Sequence, residues 1–192
     1  DRNFYKHQGI NSKSIARAFL YNLSHSDSMQ GGSTITQQFV KNALLDSRRT
    51  FTRKIKEMIL SLEIEIMYSK DEILTMYLNE IPYGTNAYGI EAASQTFFGK
   101  HASELNLAES STLAALPKAP TYYSPYGIHP DKRQARVDWI LDSMADLDYL
   151  SRDQANITKR DASKLEFVPR QEIINAPHFV MYIKELLVEK YG

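Results

Sequence analysis

Hydrophobic positions recur at helical spacing through most of the chain. Ile15, Ala16, Phe19, Leu20 and Leu23 fall on one stripe of a helix over 12–23, after which Ser24 to Gln30 is polar and Gly31-Gly32 breaks the chain. Thr34 with Gln37 three residues later forms a capping-box signature, and Ile35, Phe39, Val40 and Leu44 supply the apolar side of a helix running to about Leu45. From Thr52 to Tyr68, Ile55, Met58, Ile59, Leu62 and Ile66 keep the same period. Ser69 with Glu72 then starts another helix carrying Ile73, Leu74, Tyr77 and Leu78. Asn106 with Glu109 caps a short helix that Pro117 stops. His129-Pro130 opens a helix whose apolar face is Val137, Ile140, Leu141 and Met144, and Phe179 to Leu187 is a last amphipathic stretch. Period-two alternation never exceeds a few residues, and there is no repeat or low-complexity tract. The pattern predicts a mainly α fold. Residues 152–176, with weak periodicity and mixed charge, read as a connector leaving the compact part, so that 1–150 forms the domain and 151–192 a linker and helix.

Composition narrows the function classes. The 192 residues are 43% hydrophobic, enough for one substantial core. The 23 basic residues balance the 23 acidic ones, so no net field draws the chain to nucleic acid, and any basic site is local. Cysteine is absent, which excludes disulfides and thiol chemistry. No run approaches the roughly 18 apolar residues of a membrane span. The opening, dense in functional groups and without a methionine, reads as the continuation of a longer chain.

Four clusters carry more functional groups than a helical core requires. Asp1 to Gly9 crowds an acid, an imidazole and aromatics before a glycine, or else is a solvated turn. Gly31 to Asn42 places Ser33, Thr34, Gln37 and Gln38 at an exposed helix start, where free N–H groups and the helix dipole suit an anion such as phosphate. Thr34, Gln38, Lys41 then share one face; the plainer reading is a capped helix with a solvated lysine. Arg49, Arg53, Lys54 and Lys56 gather around Glu57. They suit a pyrophosphate, arginine through bidentate contacts and lysine as a point charge, or form an ordinary surface ion pair between Arg53 and Glu57. Tyr88 to Lys100 reads as packing. The five histidines show no metal spacing.

Taken in order, these clusters resemble the peptidoglycan glycosyltransferases that form the first catalytic module of class A penicillin-binding proteins and the monofunctional transglycosylases. Asp1, Phe4, His7 and Gly9 match that family's Glu-Asp-x-x-Phe-x-x-His-x-Gly apart from the leading glutamate, which would fall immediately before residue 1. Gly31 to Asn42 meets Gly-Gly-Ser-Thr-x-x-Gln-Gln-x-x-Lys-Asn, and Arg53, Lys54 and Glu57 meet Arg-Lys-x-x-Glu. Ser69-Lys70, Tyr77-Leu78-Asn79, Tyr83-Gly84 and Phe98-Gly99-Lys100 also resemble family motifs. Tyr126 to Pro130 departs from an expected Asn-Pro.

The resemblance implies a lysozyme-like helical fold with a substrate cleft between two lobes, at the outer face of the cell membrane. It implies inverting transfer of a growing undecaprenyl-pyrophosphate-linked glycan onto the 4-hydroxyl of lipid II, giving β-1,4 bonds. The glutamate ahead of Asp1 would be the base and Glu57 a second essential carboxylate. Lys41, Arg49 and Lys56 would cradle the pyrophosphate. Asp1, Phe4, His7, Ser33, Thr34, Gln37, Gln38, Asn42, Arg53 and Lys54 would line the rest of the substrate site, and Phe19 to Met29 a mobile region dipping into lipid. No cofactor is required, although relatives are often assisted by a divalent cation such as Mg2+. Partners would be lipid II, the glycan, the membrane surface and a covalent transpeptidase module. Two rivals are a lysozyme-like lytic enzyme, which needs no cation cluster, and a non-catalytic lipid II-binding fragment.

Overall fold

The computed structural model describes residues 1, 3–24, 31–46, 48, 50–170 and 177–191. The chain is mainly α, as the periodicity predicts. Its helices are α1 (Ser12–Ser24), α2 (Ile35–Ala43), α3 (Phe51–Met67), α4 (Lys70–Glu80), α5 (Ile90–Phe98), α6 (Leu107–Ala115), α7 (Pro130–Asp146), α8 (Arg152–Ala162) and α9 (Pro177–Tyr191). Local chemistry sets their starts: Thr34, Ser69, Asn106 and Ser151 each close a reciprocal capping box with the residue three positions on. Pro130 opens α7 from its first turn.

The periodicity gave no hint of a small hairpin, β1 (Pro82–Gly84) with β2 (Ala87–Tyr88), paired antiparallel. Thr85 and Asn86 both have positive φ, the geometry of a type I′ two-residue turn. Strands of three and two residues are too short for alternation to show. Burial of Tyr83 and Ala87 holds the hairpin instead.

Two hydrophobic clusters share α6. The larger one joins Phe39, Val40, Ile73, Tyr77, Ile81, Tyr83, Phe97, Leu113 and Leu116. The smaller one consists of Ala108, Ala115, Val137, Leu141, Ala145, Ala155 and Ala162. The expected connector from 152 is not one. Residues 152–162 are α8, packed on α6 and α7 through Ala155, Thr158 and Ala162. Past it, Phe167 stacks against Phe98 at 5.5 Å, and the Val168 N–H donates to the Phe97 carbonyl at 3.0 Å. The helical body therefore runs beyond the boundary expected at 150. The apolar stripe of α8 is built from small residues, so its periodicity is weak even though its burial is real.

Candidate active site

The site is assembled where the N-terminal segment meets α2, α3 and α4. Gly32 lets the segment before α2 lie on α1: a Cβ there would sit 3.0 Å from the Ile15 Cα and 3.1 Å from the Ser14 carbonyl. Thr34 then caps α2, its hydroxyl oxygen accepting from the Gln37 N–H at 3.2 Å while the Gln37 Oε1 accepts from the Thr34 N–H at 3.0 Å. The same hydroxyl donates to the Gly9 carbonyl at 2.5 Å, tying the N-terminal segment to the start of the helix. Gly9 has φ +73°, and a Cβ on it would lie 2.8 Å from the Ser61 carbonyl, so this segment lies flat on α3.

That placement brings Asp1 to the amino end of α2. Its Oδ2 accepts from the Ile35 N–H at 3.3 Å and lies 2.9 Å from His7 Nε2. A carboxylate is favoured there by the unpaired N–H groups and the helix dipole. His7 is nearly buried, and its Nδ1 has no hydrogen-bond partner among the described residues. Burial, and next the nearby Lys70 ammonium, hold its pKa below the ordinary imidazole value, with Glu65 opposing.

α3 turns a polar ridge toward this junction. Lys54, Glu57, Ser61 and Glu65 follow one another at spacings of three and four, which stacks them on one face. Glu57 is 2% exposed and its carboxylate is paired with the Lys54 ammonium. Lys54 also donates to the Ser33 hydroxyl at 2.8 Å, so the cation stands at the mouth of α2 with a buried acid behind it. Farther along, Arg48, Arg53 and Lys56 share a recess of about 460 Å³ with Asp46, Thr50 and Thr52. Asp46 is matched by Arg48, and Arg53 donates to the Asp46 carbonyl at 3.4 Å. Lys41 is half-buried, and neither it nor Lys56 forms an ion pair among the described residues.

Several expected substrate-facing residues turn out to be builders of the site. Phe4 is 4% exposed in the core under Lys70, Thr34 is buried in its cap, and Gln37 is wholly buried. The polar identity of Thr34 and Gln37 is spent on the helix start, which sequence spacing cannot distinguish from ligand binding. Ser33, Asn42 and Lys56 are exposed, and Gln38 is half-buried, accepting from the Tyr77 hydroxyl at 3.5 Å. The expected Arg53–Glu57 pair is replaced by Lys54–Glu57. Arg49 lies outside the described residues, as do residues 25–29 of the expected lipid-dipping region Phe19 to Met29. Sequence reasoning missed Thr36, Glu65 and Lys70 as a group. Thr36 donates to Glu65 at 2.5 Å and Lys70 pairs with it at 2.7 Å, from three different helices.

A transglycosylase family model matches residues 1–145, a span that holds every residue of this site. The chain belongs to the transglycosylase family. It is 42% identical over 189 residues to penicillin-binding protein 1F of Bacillus subtilis, covering 98% of this chain and 26% of that protein. It is 40% identical to penicillin-binding protein 1A of Aquifex aeolicus, covering all of this chain and 26% of that one. A crystal structure of penicillin-binding protein 1A from Haemophilus influenzae superposes with a TM-score of 0.50 at 29% identity, over 82% of this chain and 20% of the other. The chain thus spans about a quarter of the length of the curated relatives it matches. In this transglycosylase domain the cations of α3 are part of the matched span, which disfavours the lytic reading that has no use for them.

Proposed function

We propose that this domain polymerises peptidoglycan glycan strands. The 4-hydroxyl of lipid II loses its proton to a carboxylate and attacks the anomeric carbon of the growing chain. The C1–O4 bond forms with inversion as the C1–O bond to undecaprenyl pyrophosphate breaks. The observation that carries this reading is Lys54, held at the amino end of α2 by buried Glu57 and by Ser33, with Arg53 and Lys56 nearby. Such fixed positive charge stabilises a departing pyrophosphate without reorganising. Glu57, facing Lys54, serves by holding that cation in place. Lys41 extends the positive surface, and Asp1 with His7 forms the polar wall opposite. We place Arg49 in the same cradle on the strength of the family resemblance alone.

The outer face of α3 supports action at a membrane surface; the extracytoplasmic side rests on the family resemblance alone. Phe51, Ile55, Ile59, Leu62 and Ile66 are all exposed there, 82% and 85% at the two ends. Among the described residues no helix is long and apolar enough to cross a membrane. The names and lengths of the relatives support a parent protein that also carries a transpeptidase. Among the described residues no three His, Cys, Asp or Glu side chains converge; a divalent cation such as Mg2+, where it assists, would be held largely by the substrate's phosphates and water.

The test is lipid II polymerisation by the chain as it stands, by the chain extended with a glutamate ahead of Asp1, and by the extended chain carrying Lys54→Met or Glu57→Gln. Polymer from the extended chain, reduced about 100-fold or more by either substitution, is the expected result. Lipid II binding without polymer from any form would instead establish a binding fragment, and release of soluble fragments from purified cell wall a lytic enzyme.

A further inference from the structure

Glu65 lies outside the Arg-Lys-x-x-Glu motif of its helix, yet three other segments converge on it. Its side chain is 5% exposed, and its carboxylate takes the Thr36 hydroxyl of α2 at 2.5 Å and the Lys70 ammonium of α4 at 2.7 and 2.8 Å. Its Cγ would lie 3.1 Å from a Cβ on Gly9, so the N-terminal segment rests directly on it. Lys70 in turn stands 4.6 Å over the Phe4 ring, three residues before His7. Moving this carboxylate would therefore shift α2, α4 and the N-terminal segment relative to one another. These are the three pieces that bring Asp1, His7 and the start of α2 together.

An ion pair in such a place is a costly way to gain stability, because both charges must be desolvated and apolar side chains of similar volume fill the same space at little or no loss. What the pair supplies is direction: its bonds run to particular atoms on particular helices, where apolar contacts tolerate sliding. We propose that Glu65, through Lys70 and Thr36, is a positioning residue for the transfer reaction, fixing the Asp1–His7 pair against the amino end of α2 without touching substrate. The inference rests on the transferase reading for its kinetic consequence but not for its structural one.

Three forms of the protein, each extended with a glutamate ahead of Asp1, test it: wild type, Glu65→Gln, and the double variant Glu65→Met with Lys70→Met, which removes both charges and keeps apolar volume. The readouts are thermal unfolding, the NMR titration of the His7 ring, and kcat and KM for lipid II polymerisation. The groups facing His7 are Asp1 on its own segment, Glu65 on α3 and Lys70 on α4. Glu65→Gln removes the charge that raises the His7 pKa and is expected to lower it further. The double variant also removes the opposing cation and moves it back up.

The double variant is expected to stay folded, with kcat down about tenfold or more and KM within about twofold, since small misplacement of a reacting group costs rate before binding. Wild-type kcat in the folded double variant would overturn the proposal. If the extended wild-type protein makes no polymer, the transferase reading fails alone. The Asp1–His7 contact, followed by NMR in the double variant, then decides the positioning role, its loss supporting it and its retention refuting it.

Discussion

The two hydrophobic clusters bury polar groups in opposite ways. Around α6, α7 and α8, the buried hydroxyls of Ser111, Thr112, Ser143 and Thr158 all donate to the carbonyl four residues back in their own helix. Such bonds satisfy the hydroxyl within its own helix, and links between segments here are carried by ion pairs instead, Lys100 with buried Glu109 and Lys159 with Asp142. Around α2, α3 and α4 the buried polar groups reach across the chain instead. Thr34 bonds Gly9, Thr36 bonds Glu65, Lys70 pairs with Glu65, and Lys54 joins Ser33 to Glu57. The second region also leaves more unsatisfied: His7 Nδ1, Gln37 Nε2 and Arg53 Nε lack partners there among the described residues, against Arg136 Nε in the first. The difference is that the first spends most of its buried hydroxyls inside its own helices and the second spends its polar groups on where segments stand, and only the second holds the site.

That contrast is best attacked where it is most rigid. Gly9→Ala forces a side chain into a left-handed backbone and against the Ser61 carbonyl, and is expected to destabilise by at least ~1–3 kcal/mol in denaturant unfolding. Thr36→Val and Thr158→Val make the same chemical change in the two regions. The first leaves a buried carboxylate one bond short and should cost about 1–3 kcal/mol. The second should fall within about 0.5 kcal/mol of wild type. Equal costs for the two would erase the distinction drawn here. Thr34→Ala removes a cap and the link to Gly9, for a loss of about 1 kcal/mol, seen as well in faster hydrogen exchange in the first turn of α2.

The smallest effect is a pH dependence. The His7 pKa is lowered in the folded protein, so the unfolded chain binds the extra proton more readily as acidity rises. The stability contributed by neutral His7 is complete above its unfolded value of about 6.5 and is lost as pH falls through the folded value. His7→Gln should therefore flatten the fall of melting temperature below about pH 6.5. An unchanged slope would remove His7 from the account.

Much of this was legible in the sequence because the signals are local. The caps at Thr34, Ser69 and Asn106, the apolar stripes of α2 to α4, and the proline that opens α7 each act within four residues. What escaped depends on partners far apart in the chain. The Ser151–Gln154 cap was as readable as the others, but α8 buries alanines, which carry little periodic signal. The Thr85-Asn86 hairpin lacks the glycine that advertises such turns. In the site, spacing correctly gathered the α3 cations. It could not say that Lys54, not Arg53, would pair with Glu57, nor that Gln37 would be consumed as a cap, because both depend on which way a helix faces once packed. Glu65 was invisible for the same reason.

α3 spans 17 residues, about 25 Å at the usual helical rise, and carries unrelated tasks on opposite sides. Its inner edge holds Lys54, Glu57, Ser61 and Glu65, and its outer edge the five exposed apolar residues from Phe51 to Ile66. The helix is therefore far more sensitive to length than to identity. Replacing one outer side chain alters a single patch, whereas inserting one residue near Met58 turns all that follows by about 100°. Glu65 would then leave Lys70 and Ile66 would swing toward the core. Rotational phase is thus a heritable constraint on this helix, and variation along it should accumulate by exchange, never by insertion or deletion.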